Sequence, residues 1–139
     1  MTEEAFRFSS TVKVRWRDVD ALGHVNNAVY FTYLEQARVD YLRELGLATD
    51  DPQKVSFILA QASCQFKSPI KLGERVTVYA RVSELGNSSF SFDYRMTGGD
   101  GRLIAVARSV QVCYDYARQK PVPIPEAWRQ IVTAYEPGL

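Results

Sequence analysis

Apolar and polar residues alternate from Thr11 to Trp16, with Val12, Val14 and Trp16 on one face and Lys13 and Arg15 on the other. A period of two predicts a half-buried strand. The alternation stops at Arg17. From there to Asn26 the chain reads Arg-Asp-Val-Asp-Ala-Leu-Gly-His-Val-Asn, a run of turn formers and short polar side chains that predicts a loop. Asn26 or Asn27 is suited to cap a helix, and between Ala28 and Leu45 the period changes accordingly. Tyr30, Leu34, Ala37, Tyr41 and Leu45 recur at helical spacing, reinforced by Phe31 and Leu42, while Gln36, Arg38, Asp40, Arg43 and Glu44 fill the other side. Gly46 supplies the stop. So wide an apolar stripe predicts a helix lying against a sheet.

Beyond the polar stretch Thr49 to Lys54, four strand-like runs follow: Val55 to Phe66, Glu74 to Glu84, Ser88 to Met96 and Arg102 to Asp115. Pro69 to Gly73 breaks the first pair and Leu85 to Asn87 the second, and Thr97-Gly98-Gly99-Asp100-Gly101 is a hairpin signature before the last run. The simplest arrangement is an antiparallel meander. The segment Lys120-Pro121-Val122-Pro123-Ile124-Pro125 cannot enter a central strand, because proline has no backbone donor. Glu126 to Tyr135 predicts a short terminal helix. Residues 1–139 therefore read as one α+β domain, a long helix packed on one face of an antiparallel sheet.

Composition narrows the function classes. Lys and Arg (17) nearly balance Asp and Glu (16), and the net charge of +1 argues against nucleic acid or an anionic membrane as principal partner. Met1 to Ser10 holds no apolar stretch of signal-peptide length, and no later segment reads as a membrane span, so a cytoplasmic protein is expected. Cys64 and Cys113 sit in apolar, strand-like surroundings where a thiol acts as a small hydrophobe. With His24 the only imidazole and no Cys-x-x-Cys pair, no metal site is expected.

The chemistry concentrates in Asp18-Val19-Asp20-Ala21-Leu22-Gly23-His24-Val25-Asn26-Asn27-Ala28-Val29-Tyr30. Two carboxylates and the sole histidine stand just ahead of a predicted helix start. The first amides of a helix have no intrahelical partners and carry the positive end of its dipole, so they can hold an oxyanion forming on an attacked carbonyl. A carboxylate beside them can attack directly or deprotonate water. A thioester suits such a site, since its carbonyl is electrophilic and its thiolate leaves without a strong acid. The chain has no Gly-x-Ser-x-Gly elbow, and a serine triad could recruit only His24.

The run Asp20-Ala21-Leu22-Gly23-His24-Val25-Asn26-Asn27, with Tyr30 and Tyr33-Leu34-Glu35-Gln36-Ala37-Arg38 following, resembles the hydroxybenzoyl-CoA thioesterase group of the hotdog superfamily. It is also similar to the acyl-CoA thioesterases of the tol-pal cluster type. The likeness extends from Val12 to about Tyr116. It implies a hotdog fold and hydrolysis of an acyl-CoA to a free acid and CoA, without metal or redox cofactor. It also implies a homodimer or homotetramer whose active sites lie between subunits.

By position, the resemblance assigns Asp20 as the catalytic carboxylate, Asn27 as the residue whose N–H polarises the thioester carbonyl, and His24 as an assisting histidine. Two departures matter. Plant acyl-carrier-protein thioesterases of this superfamily have an asparagine where Leu22 stands. The basic cluster that meets CoA phosphates in the hydroxybenzoyl enzyme is replaced by neutral Gly86-Asn87-Ser88, so Lys67, Arg75 and Arg81 become the candidates for those contacts. Trp16, Tyr30 and Phe66 are candidates for the acyl-pocket wall.

Each assignment has a plainer counterpart. Asp20 could close an Asx-turn, as aspartate commonly does before a helix, and Asp18 is expected to have that structural role. His24 could be a hydrogen-bonded loop residue. Asn26 and Asn27 are good caps in any protein. Glu35 and Arg38, one turn apart, are expected to pair on the helix surface. Trp16, Tyr30, Tyr33 and Phe66 could be core or interface aromatics. The competing function is a hotdog protein that binds acyl thioesters without hydrolysing them.

Overall fold

The computed structural model describes residues 5–47 and 56–139. The polar stretch Thr49 to Lys54, and Val55 at the head of the next run, lie outside the described residues. The elements in order are β1 (Phe8–Lys13), α1 (Asn27–Glu44), β2 (Ser56–Phe66), β3 (Arg75–Leu85), β4 (Ser89–Gly98), β5 (Leu103–Asp115), the two-residue β6 (Lys120–Pro121) and α2 (Glu126–Tyr135). Every pairing is antiparallel, the sheet runs β1-β3-β4-β5-β2, and β6 pairs with β5.

Alternation decides which residues meet the helix. Val76, Val78, Ala80 and Val82 of β3 are paired with Gly98, Met96, Tyr94 and Phe92 of β4, and all eight are buried. Against this face α1 buries Tyr30, Tyr33, Leu34, Ala37, Arg38, Tyr41 and Leu42. Tyr41 is the pivot: its ring meets Phe92 edge-on at 5.0 Å and Phe8 at 5.5 Å, and its hydroxyl donates to Glu136 Oε2 at 2.7 Å. That bond and the Val82 N–H (3.3 Å to the same oxygen) tie the end of α2 to the core. Large buried side chains of this kind contribute roughly 1.5–3 kcal/mol each through removal of apolar surface from water.

Three expectations change. The four later strands do not form a plain meander: β2 crosses to the far side of the sheet and pairs with β5, β1 takes the place beside β3, and only β3, β4 and β5 run as consecutive neighbours. The first strand ends at Lys13, and Trp16 is 79% exposed in a single 3-10 turn over Trp16–Asp18. The cause is local: Asp18 N–H donates to the Arg15 carbonyl (2.9 Å) while the Asp18 carboxylate accepts from Arg15 N–H (3.0 Å), which folds the chain back before Trp16 can continue the strand. Arg38, read as a surface partner of Glu35, is instead 5% exposed, and its Nη1 donates to the Tyr94 hydroxyl at 2.9 Å.

The outermost strand β2 carries a bulge. Leu59 pairs with Gln111 but Gln61 with Val110, so Ala60 is the extra residue. A bulge reverses the side-chain parity beyond it. Phe57 and Leu59 before it, and Ala62, Cys64 and Phe66 after it, pair with the β5 residues Cys113, Gln111, Ser109, Ala107 and Ala105. Those alternate β5 positions belong to the face that α1 covers. Among the described residues, the outer edge of β2 has no strand partner.

Candidate active site

The loop between β1 and α1 is fixed by its own backbone. Asp20 N–H donates to the His24 carbonyl (2.8 Å) and Gly23 N–H returns to the Asp20 carbonyl (3.0 Å). The turn places Gly23 at φ 79°, a region that disfavours a side chain. Isolated bridges join Val19 to Val25 and His24 to Lys71, and Val25 N–H donates to the buried Ile70 carbonyl at 2.8 Å. The loop is thereby docked on the approach to β3.

The two carboxylates of this loop have different surroundings. Asp18 is 2% exposed and accepts from Arg15 N–H, Nε and Nη2 and from the Tyr33 hydroxyl at 2.8 Å. Burial opposes its ionisation, but the hydrogen bonds from Arg15 and Tyr33 outweigh burial and hold its pKa below the usual carboxylate value. Its structural role is an anchor between the 3-10 turn and α1. Asp20, two residues on, is exposed. Its Oδ1 accepts from Leu22 N–H (2.9 Å) and His24 N–H (3.4 Å), an Asx-type arrangement, while Oδ2 has no partner among the described residues.

Asn26, not Asn27, caps the helix. Its Oδ1 accepts from Ala28 N–H at 2.9 Å, and its carbonyl accepts from Val29 N–H at 2.9 Å. Asn27 is the first helical residue, and its N–H has no hydrogen-bond partner among the described residues. Such an amide carries the partial positive charge of the helix start outward.

Asp20, His24, Asn27, Tyr30, Phe66 and Lys67 line one open cavity of about 390 Å³. Six candidate residues drawn from the loop, the first turn of α1 and the end of β2 thus converge. Tyr30 and Phe66 form the apolar wall, their rings edge-to-face at 4.8 Å, and the Tyr30 hydroxyl donates to the Ser68 carbonyl at 3.3 Å. Ser68 and Pro69 also line the cavity; the sequence marks Pro69 only as a strand breaker and gives Ser68 no distinguishing signal. The remaining candidates lie elsewhere. Trp16 does not line this cavity. Arg75 and Arg81 alternate with the buried valines of β3 and so sit on the sheet face away from α1, where Arg81 Nη2 approaches Asp93 Oδ2 at 3.6 Å.

Neither cysteine is poised to react. Burial pushes the thiols of Cys64 and Cys113 up to about 11, so both are protonated near neutrality. Among the described residues no group of three or more His, Cys, Asp or Glu is placed to hold a metal ion, and no helix is long and apolar enough to cross a membrane. Chemically, the cavity offers a carboxylate with one free oxygen, an unpaired amide, an imidazole and a lysine at the end of β2.

Comparison with known proteins bears on this geometry. Residues 14–132 match the family profile of the Thioesterase-like superfamily. The acyl-CoA thioesterase YbgC of Haemophilus influenzae is 29% identical over 122 residues, 86% of this chain and 89% of that protein. An uncharacterized protein of Bacillus subtilis, YsmA, is 29% identical over 90 residues, and that match covers 65% of this chain but only 60% of the relative. Among solved structures, a thioesterase of Thermus thermophilus, complexed with coenzyme A and Zn, superposes with a TM-score of 0.84 at 35% identity, covering 96% of this chain and 97% of its own.

Proposed function

The chain belongs to the Thioesterase-like superfamily, and from that membership we propose that it hydrolyses acyl-CoA in the Asp20 cavity, with Asp20 as general base and the Asn27 amide as oxyanion donor. That it is a hotdog-fold acyl-CoA thioester hydrolase follows from its family and relatives. The mechanism is our reading, and the convergence of Asp20 with the unpaired Asn27 N–H on one cavity carries it.

In this reading the thioester carbonyl oxygen lies against Asn27 N–H. A water held beside Asp20 gives its proton to Oδ2, and its oxygen bonds to the thioester carbon. The carbonyl electrons move onto oxygen, where the amide and the helix dipole stabilise them. Collapse breaks the C–S bond; the CoA thiolate leaves and takes up a proton, and the free acid remains. Fixing Oδ1 on two amides orients the carboxylate before substrate arrives, so little reorganisation accompanies the reaction. His24 orients the water or the substrate. Lys67, at the end of β2 and exposed, meets the CoA phosphates, with Tyr30 and Phe66 against the acyl group. CoA enters as part of the substrate, not as a resident cofactor. Release of free thiol from short, long and aromatic acyl-CoAs tests the activity; binding of these compounds without thiol release would instead identify a non-hydrolysing acyl-CoA-binding protein.

The assembly we propose is a homodimer joined along β2, with a homotetramer as its doubled form. Ile58, Leu59 and Phe66 are respectively 36%, 50% and 46% exposed on this strand. A long apolar edge with unpaired backbone groups is a liability unless another strand covers it, and a second copy of β2 does so with two-fold symmetry. The cavity would then open at the join between subunits. Light scattering should return twice or four times the chain mass at micromolar concentration; a monomer would rule this assembly out.

A further inference from the structure

We propose that the acyl group this enzyme prefers is a medium-length chain ending in an oxygen acceptor, best a carboxylate, which Arg38 recognises. The inference rests on the Asp20 cavity being the site of thioester hydrolysis. A second cleft of about 140 Å³ continues along the same seam between α1 and β2, lined by Phe31, Glu35, Arg38, Leu59, Ala62 and Ser109 among others. An aromatic pair links the linings of the two cavities: Phe66 of the first lies edge-to-face with Phe31 of the second at 6.5 Å between ring centroids. An acyl chain leaving the thioester carbon along Tyr30 and Phe66 passes this pair and enters the second cleft.

Arg38 and Ser109 line that cleft, and behind them lie the buried Tyr94 and Gln111, which are not part of its lining. Arg38 is 5% exposed, Ser109 1% and Gln111 0%. Arg38 Nη1 donates to the Tyr94 hydroxyl (2.9 Å), the Tyr94 and Ser109 hydroxyls share a bond of 2.6 Å, and Gln111 Nε2 donates to Ser109 Oγ (2.5 Å). Whichever hydroxyl donates between Tyr94 and Ser109, the other hydroxyl proton is left without an acceptor among the described residues. Reversing the Gln111 amide, whose Oε1 lacks a partner, would engage that oxygen but leave its NH₂ over. A guanidinium has five N–H donors, and Arg38 makes one side-chain bond among the described residues. No carboxylate pairs with it among those residues. A buried cation with neutral partners and donors in excess is completed by a ligand acceptor.

Distance sets the chain length. From Asn27 to Arg38 is about three helical turns, or about 16 Å, and an extended chain advances about 1.2 Å per bond. Because helical side chains lean toward the N-terminus, a chain of about 10–13 carbons reaches the guanidinium.

The experiment compares kcat/KM for pairs of acyl-CoAs of equal length, one ending in a methyl group and one in a carboxylate, with a terminal hydroxyl as third member. In the wild-type protein the long carboxylate-ended substrate should exceed its methyl-ended partner by about tenfold or more, chiefly through KM, with the hydroxyl between them. At four carbons the ratio should fall to one, since the carboxylate then cannot reach. In Arg38→Gln the long-chain ratio should also fall toward one. A wild-type ratio of one at every length overturns the inference without any variant being needed, as does a preference that survives Arg38→Gln or is already present at four carbons. If methyl-ended and aromatic thioesters are hydrolysed but no end-group preference appears, only this inference fails. If no thioester is hydrolysed at all, the underlying reading fails and takes the inference with it.

Discussion

Asp20→Asn should lower kcat/KM for acyl-CoA hydrolysis by about 10²- to 10⁴-fold, the range that a positioned general base supplies, with no change in Tm. The fold is expected to tolerate the exchange because the bonds that Oδ1 accepts from Leu22 and His24 can be accepted equally by an amide oxygen, and because the side chain is exposed. What is lost is the proton acceptor at Oδ2. Thiol release, circular dichroism and thermal melts separate the two effects; near-wild-type turnover across the substrate panel would remove Asp20 from the chemistry. A single turnover in ¹⁸O-water refines the test. General-base attack places the label directly in the product acid, whereas label recovered in the Asp20 carboxylate would show that the side chain itself attacked the thioester.

The second large effect belongs to a main-chain group. Asn27→Pro deletes the N–H at the first helical position, the one place where a helix readily accepts proline. The preceding residue is already suited: Asn26 has φ −59° and ψ 136°, within the extended region that proline imposes on its neighbour. The helix should form and Tm should change little. Turnover should fall by about 10²- to 10³-fold, the usual cost of removing one oxyanion donor. Asn27→Ala is the matched control, since it keeps the amide and Asn26 supplies the cap; it should retain most of the activity. Equal turnover in the proline and alanine variants would show that the oxyanion is held elsewhere.

These two experiments concern residues that stand out in the chain, and the reasons they do are physical. The strands β3 and β4 alternate cleanly, β5 is a continuous run of strand-forming residues, and all three are bounded by Gly-rich or polar turns, so their spans are legible within a residue or two of the structure. The reactive loop is legible because turn formers separate two periods. What escapes such reading depends on contacts between distant residues. Arg38 looks polar on a helical wheel, yet its partner Tyr94 lies 56 positions away. Trp16 fits the alternation of β1 but is turned out by the Arg15–Asp18 contact, which has no periodic signature. Arg75 and Arg81 stand out by charge alone, although their alternation with Val76, Val78 and Ala80 already puts them on the opposite face from any helix packed on those valines. On β2 no strict alternation can be read across Ala60, because the bulge changes phase there; that is why Ala62 and Phe66 share a side with Leu59.

The seam where α1 runs past β2 has a wider consequence. The groups that hold the helix to the sheet, such as Leu34, Tyr41 and Phe92, are almost wholly buried, whereas Phe31, Leu59 and Phe66 along the proposed acyl path are from 38% to 50% exposed in a single chain. Exchanges along the path therefore alter its width and polarity without opening a void where α1 packs on β3 and β4. Descendants of one ancestral architecture can diverge in diet while their skeleton stays the same.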